Sequence, residues 1–222
     1  MSSPPPRPAF HPRQPPFTSA APARLVVMIS GRGRTLGYIA DAIRNGELGH
    51  ARITGVICST PPGSEGFELA RRSVGEQTPV VQLEGHPSAA ALEQTVMSMG
   101  GADYVVLAGY LKRLEVPTSL EGRIVNIHPA LLPAFGGKGM YGRRVHEAVL
   151  ASGATESGCT VHLVDAEYDR GPVLVQRRCA VHPGDTPETL AARVFEQEKG
   201  AYIEALGMLL NWPRGVGAEV VR

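Results

Sequence analysis

Two polar residues, Asn126 and His128, close an apolar run, Ile124-Val125-Asn126-Ile127-His128, that stops at Pro129. β-Branched residues suit a buried strand, and proline ends it. Residues two apart on an extended chain point to one side, so the amide and the imidazole share a face. The amide nitrogen donates, and the imidazole can donate or carry a proton. Such a pair could hold an oxygen that is gaining negative charge. A strand end with merely capped polar side chains fits the same spacing. Further on, Cys159, Val161 and Leu163 alternate with Thr160 and His162, which places the two sets on opposite faces of a second strand. His162 reads from this pattern as a histidine satisfied in the core. Asp165-Ala-Glu-Tyr-Asp169-Arg-Gly-Pro172 is a turn sequence, and one of its carboxylates could lean into the same pocket. Spacing from His162 alone favours Asp165. His128, His146, His162 and Asp169 could be imagined as zinc ligands, but their spacing matches no metal motif, and no metal is expected.

These groups need a scaffold, and the alternation of elements supplies one. Residues 24–29 are a short continuous apolar run, as in a strand covered on both faces. They feed Ser30-Gly31-Arg32-Gly33-Arg34-Thr35 and a helix to about Asn45, which Gly46 ends. A strand, a glycine loop and a helix N-terminus can bind a phosphate, because the N–H groups and the helix dipole face it. Gly33, Arg34 and Thr35 are the expected donors, with Arg32 and Arg34 adding positive charge. An ordinary βα turn has the same make-up. A dinucleotide fingerprint would need glycine near position 36, which is Leu36, and an acid where Ile57-Cys58-Ser59-Thr60 stands, which counts against an NAD enzyme.

The reading continues as strand 52–58, helix 66–74, strand 79–83, helix 87–99 started by Pro87, and strand 104–108. Helix 143–152, strands 158–164 and 173–181, and a long helix to about Leu210 follow, the last capped by Thr186 with Pro187 in its first turn. This is an α/β chain: a mostly parallel twisted sheet with helices on both faces and a mixed C-terminal part. Ligands in such sheets sit beyond the carboxyl ends of the strands, where residues 31–35, 109–114 and 126–133 converge. Residues 135–142 hold four glycines and one lysine and read as a mobile lid or a phosphate-approaching loop.

Composition sets outer limits. With 222 residues and 43% hydrophobic content, one domain over 24–222 is expected, after a Pro-rich, disordered tail at 1–23. A formal charge of +1 gives no reason to expect nucleic acid or a membrane as partner. Cys58, Cys159 and Cys179 are scattered and odd in number, which fits a reducing cytoplasm better than a disulfide framework. Monomer and homodimer stay open.

Asn126-Ile127-His128-Pro129-Ala130-Leu131-Leu132-Pro133 resembles the signature of folate-dependent formyltransferases. The continuation Ala134-Phe135-Gly136-Gly137-Lys138-Gly139-Met140-Tyr141-Gly142 resembles one bacterial form of that family, and the likeness runs from about Arg24 to about Leu210. The resemblance implies a Rossmann-like formyltransferase fold. It implies 10-formyltetrahydrofolate as co-substrate and glycinamide ribonucleotide as the amine that receives the formyl group in purine synthesis. It makes Asn126, His128 and Asp169 catalytic, choosing Asp169 because Tyr168-Asp169-Arg170-Gly171-Pro172 matches the family's Asp-x-Gly pattern before a strand. In that picture Asp169 favours the cationic form of His128 or orders a water that carries the proton. His162 becomes a supporting residue. Glu198 becomes a ribose contact, whereas by position alone it is a solvated helix charge. Leu111, Lys112, Arg113 and Leu114 line the folate pocket, with Lys112 and Arg113 near the glutamate tail or simply solvated.

The chain also departs from the pattern. The family's first loop usually continues Gly-x-Gly-Ser-Asn, and this one reads Gly31-Arg32-Gly33-Arg34-Thr35; the basic residue often placed near 87–91 is missing. Formyltetrahydrofolate deformylase, a hydrolase with the same trio, usually carries an N-terminal regulatory domain, for which 23 Pro-rich residues are too few. Methionyl-tRNA formyltransferase adds a C-terminal domain and a basic surface. A non-catalytic nucleotide-binding module would have no need of Asn126, His128 and Asp169 together.

Overall fold

The computed structural model describes residues 21–210, so the expected tail lies outside the described residues as far as residue 20. The strands are β1 (Ala23–Ile29), β2 (Ala51–Cys58), β3 (Val80–Gln82), β4 (Tyr104–Leu107), β5 (Ile124–His128), β6 (Glu156–Leu163) and β7 (Val173–Ala180). The helices are α1 (Arg34–Arg44), α2 (Glu65–Val74), α3 (Ala89–Ser98), α4 (Arg143–Ala151) and α5 (Pro187–Leu210), with a short 3₁₀ turn at Thr118–Leu120. One sheet of seven strands runs β3-β2-β1-β4-β5-β6-β7. The first five are parallel, and β6 and β7 are antiparallel additions.

The apolar runs behave as strands buried on both faces. In β1, Leu25, Val27 and Ile29 face a core shared with α1, α2, α4 and α5, while Val26 and Met28 face the opposite core under α3. The direction of winding reverses at β1, which β2 flanks on one side and β4 on the other. A crevice opens at such a reversal beyond the strand ends, and the site lies there. Helix α5 is held to this edge by fully buried Tyr202. Its hydroxyl lies 2.9 Å from the carbonyl of Leu107, the last residue of β4, and 3.1 Å from that of Val125 in β5.

Two boundaries differ from the sequence reading by two residues, and several others by one. Pro87 does not start α3, because Ser88 is the cap: its hydroxyl accepts the Ala91 N–H at 3.2 Å, so proline stands before the cap. Strand β6 begins two residues early, at Glu156, because the antiparallel pairing continues through Ser157–Cys179 to Glu156–Ala180. Thr186 caps α5 as expected, accepting from the Thr189 N–H at 3.3 Å.

Candidate active site

Three loops meet at the sheet edge, and two of them are tied together. The Ser30 N–H donates to the Gly109 carbonyl at 3.2 Å, and the Leu111 N–H donates to the Ser30 hydroxyl at 3.0 Å. They border a cleft of about 530 Å³, walled on its other sides by residues 137–143, the turn before β7, and one face of α5. Asn126, His128, His162 and Asp169 all line it.

These four side chains form one cluster. Asn126 and His162 are cross-strand partners of β5 and β6, and the Asn126 amide nitrogen lies 3.1 Å from His162 Nε2. His162 Nδ1 lies 3.0 Å from the Leu163 carbonyl, to which it donates. With Nδ1–H on that carbonyl, Nε2 can accept from Asn126, which leaves the second amide hydrogen of Asn126 for another acceptor. His162 is 2% exposed and satisfied, as the alternation implies, and it also touches the groups that the resemblance makes catalytic. Asp169 lies between the two imidazoles: Oδ2 is 3.5 Å from His128 Nδ1, and Oδ1 is 3.6 Å from His162 Nε2. The competing carboxylate, Asp165, is exposed and accepts the Glu167 N–H at 2.9 Å, closing its own turn.

The loop 135–142 is anchored at its start, which differs from a free lid. The Phe135 carbonyl accepts from His128 Nε2 at 2.8 Å, and the Gly137 N–H donates to Asp169 Oδ2 at 2.9 Å. Phe135 and Asp169 are the described non-glycine residues with positive φ, at 56° and 55°. The left-handed conformation at Asp169 swings its carboxylate back from the turn to the imidazoles. Gly171 completes that turn by necessity. A Cβ there would stand 1.7 Å from the Leu163 carbonyl oxygen, so the Asp-x-Gly pattern has a packing cause. Gly171→Ala is expected to destabilise the fold by about 1–3 kcal/mol, read as a lower denaturant midpoint.

Charge states follow from burial. Burial depresses the His128 pKa, and it outweighs the opposing pull of Asp169 and of the Phe135 carbonyl. Asp169 pulls towards the cationic form, as expected, but burial is the larger influence and favours the neutral imidazole. Burial alone would raise the Asp169 pKa, but His162, His128 and the Gly137 N–H more than offset this and leave it below the usual carboxylate range. With Nε2–H committed to Phe135, neutral His128 carries its lone pair on Nδ1 and has no second donor.

The α1 end of the cleft is built for an anion. Gly33 caps α1 with φ 68°, no side chain caps the helix, and its first turn holds no acid. The first N–H groups of α1 are therefore left for a ligand. Glu198 is partly buried at this end, and its pKa is pushed up to about 7 by burial, opposed by Arg34. It is not a solvated helix charge. At the other end Leu111, Lys112 and Arg113 are exposed and Leu114 is half-buried. The Arg113 N–H donates to His86 Nδ1 at 3.1 Å, which fixes the segment expected to meet folate. Tyr110, before them, is packed in the α3-side core and also lines the cleft.

Phe195, His146, Tyr141 and Tyr168 also line the cleft, and sequence reasoning passed over their roles. Phe195 could have been found, since it lies three residues before Glu198 on one face of a helix. Among the described residues no group of three or more His, Cys, Asp or Glu is arranged to hold a metal, and no helix is long and apolar enough to cross a membrane.

A doubly wound sheet whose open edge joins an uncapped helix start to a half-buried amide, a buried imidazole and a half-buried carboxylate defines a Rossmann-like group-transfer protein. The chain belongs to the formyl transferase family, whose model matches residues 23–206. It is 39% identical over 191 residues to a chloroplastic phosphoribosylglycinamide formyltransferase of Arabidopsis thaliana, covering 84% of this chain and 65% of the relative's own length. A phosphoribosylglycinamide formyltransferase of Mycobacterium tuberculosis is 37% identical over 197 residues, which cover 86% of each chain. Among solved structures, glycinamide ribonucleotide transformylase 1 of Symbiobacterium toebii superposes with a TM-score of 0.75 at 34% identity, over 88% of this chain and 91% of that one.

Proposed function

We propose that the protein transfers the formyl group of 10-formyltetrahydrofolate to the amine of glycinamide ribonucleotide, a step of purine biosynthesis. The observation that carries this reading is the Asn126–His162–Asp169–His128 cluster at one end of a cleft whose other wall is an uncapped helix start. The names of the relatives from Arabidopsis thaliana and Mycobacterium tuberculosis support it. The cysteines, free of disulfides among the described residues, support a reducing compartment such as the cytoplasm.

The amine lone pair attacks the formyl carbon, and the carbonyl electrons move onto oxygen. The free amide hydrogen of Asn126 donates to that oxyanion. The nitrogen that attacked sheds a proton to His128 Nδ1, and the new imidazolium faces Asp169. The same proton then passes to the folate nitrogen as its bond to carbon breaks. The ribonucleotide's phosphate sits on the N–H groups of Gly33, Arg34 and Thr35, and its ribose meets Glu198. Folate lies along Leu111–Leu114, with Lys112 and Arg113 toward its carboxylates.

Incubation with 10-formyltetrahydrofolate, with and without glycinamide ribonucleotide, tests the reading. Deformylated folate should appear only when the ribonucleotide is present. Its appearance without the ribonucleotide would make the protein a hydrolase, and no turnover in either case would make it a binding module. Gly33→Val should raise KM for the ribonucleotide far more than KM for folate. The added side chain would turn towards Ile29 and Leu69, 3.4 and 3.6 Å from its Cβ, so the harm comes through the positive φ that the donors depend on. Equal effects on both KM values would remove the phosphate from this loop.

A further inference from the structure

Arg34 is a cation in an unfavourable place. It is the first residue of α1, at the positive end of the helix dipole, and it is exposed. Among the described residues its guanidinium makes no ion pair. It is held instead by an aromatic ring: its Cζ lies 4.2 Å from the centroid of Phe195, on α5 across the cleft. Tyr38 backs that ring edge-on, with centroids 6.1 Å apart at 64°. A second cation, Lys199 Nζ, lies 5.3 Å from the same centroid, but both carboxylate oxygens of Glu196 bind it at 2.7 and 2.9 Å. The Lys199 charge is thus answered and that of Arg34 is not. Glu198 lines the same end of the cleft and feels the charge of Arg34 without pairing with it.

We infer that Phe195 is a positioning residue, a platform that holds the Arg34 guanidinium ready for the phosphate of a ribonucleotide seated on α1. The inference rests on the proposed substrate but not on the reaction. An unbraced arginine samples many rotamers, and ordering it when the anion arrives costs entropy; a stacked, planar guanidinium has met most of that cost beforehand. The placement also accounts for the departure at Arg34-Thr35. Where the family's loop offers a small hydroxyl, this chain offers a charged fork that must be steered, and Phe195 steers it.

The test is calorimetric binding to the full chain of glycinamide ribonucleotide and of its dephosphorylated riboside. The readout is the ratio of the two affinities, which reports the phosphate contact and needs no turnover. Arg34→Gln should cut the preference for the phosphorylated ligand on the order of tenfold or more, the usual scale for a charge-assisted contact. Phe195→Leu, which keeps apolar bulk but removes the ring face, should lose a similar share. Phe195→Tyr should keep most of the preference, and the Arg34→Gln, Phe195→Leu double variant should lose no more than Arg34→Gln alone. If Phe195→Leu weakens both ligands equally, the ring only packs α5 and the inference is overturned. It is overturned as well if Arg34→Gln leaves the ratio intact. A protein that binds as expected but transfers no formyl group would sink the proposed reaction and uphold the platform.

Discussion

Replacing Asn126 by Ala is expected to lower kcat on the order of 10²–10³, the usual cost of removing one oxyanion donor, and to leave both KM values close to normal. The reason lies in how the amide is held. One of its hydrogens faces His162 Nε2 at 3.1 Å, which orients the second hydrogen before any substrate arrives. An oriented donor that strengthens only as the oxyanion forms acts on the transition state and not on binding. The variant should also lose stability, about 1–3 kcal/mol, because the buried His162 nitrogen is left without its partner. Parallel steady-state kinetics and denaturant titration separate the two effects. A variant with normal kcat and a raised KM would recast Asn126 as a binding group.

How much of this could be read beforehand depends on how local the cause is. The central strands were legible because continuous runs such as Leu25–Ile29 have few other ways to be buried. The convergence of loops 31–35, 109–114 and 126–133 followed from topology, since ligand sites in doubly wound sheets gather beyond the strand ends. Asp169 was different. Spacing along β6 favours Asp165, and what decides the matter is a left-handed residue at φ 55° followed by a glycine pressed against the Leu163 carbonyl. Only the family pattern carried that information. The charge of His128 was only half legible for a related reason. Proximity to a carboxylate is visible in a motif, but burial is not, and here burial is the larger influence. The Phe195 platform depends on α5 crossing α1, a tertiary contact with no signature in either segment alone. Pro87 shows the limit at short range: Ser88 beside it is the better cap, and the cap wins.

Asp169→Asn keeps the size of the side chain and removes its charge, and it is expected to lower kcat on the order of 10²–10⁴, the range of general acid–base catalysis. Affinity for the ribonucleotide should stay within a few-fold of normal, because Asp169 faces the two imidazoles and not the α1 end of the cleft. The pH profile gives the sharper reading. Burial sets the His128 pKa below the ordinary histidine value, and Asp169 is the largest influence pulling it back up. Without that charge the pKa falls further, so the acid limb of kcat/KM should move to lower pH even as its plateau drops. Stability should change in the matching sense. A carboxylate whose folded pKa is depressed contributes stability above its unfolded value, roughly 3.9, and loses it as pH falls through the folded value. The Asn variant lacks this contribution, so its loss of stability towards low pH should be shallower than that of the parent. Asp165→Asn is the control. That carboxylate is exposed and closes a turn, so its loss should leave kcat near normal. If the Asp165 variant is dead and the Asp169 variant active, the proton is handled by the other carboxylate. If both stay active with unmoved acid limbs, His128 Nδ1 is not the base, and the route from the attacking amine to the folate nitrogen must pass outside this cluster.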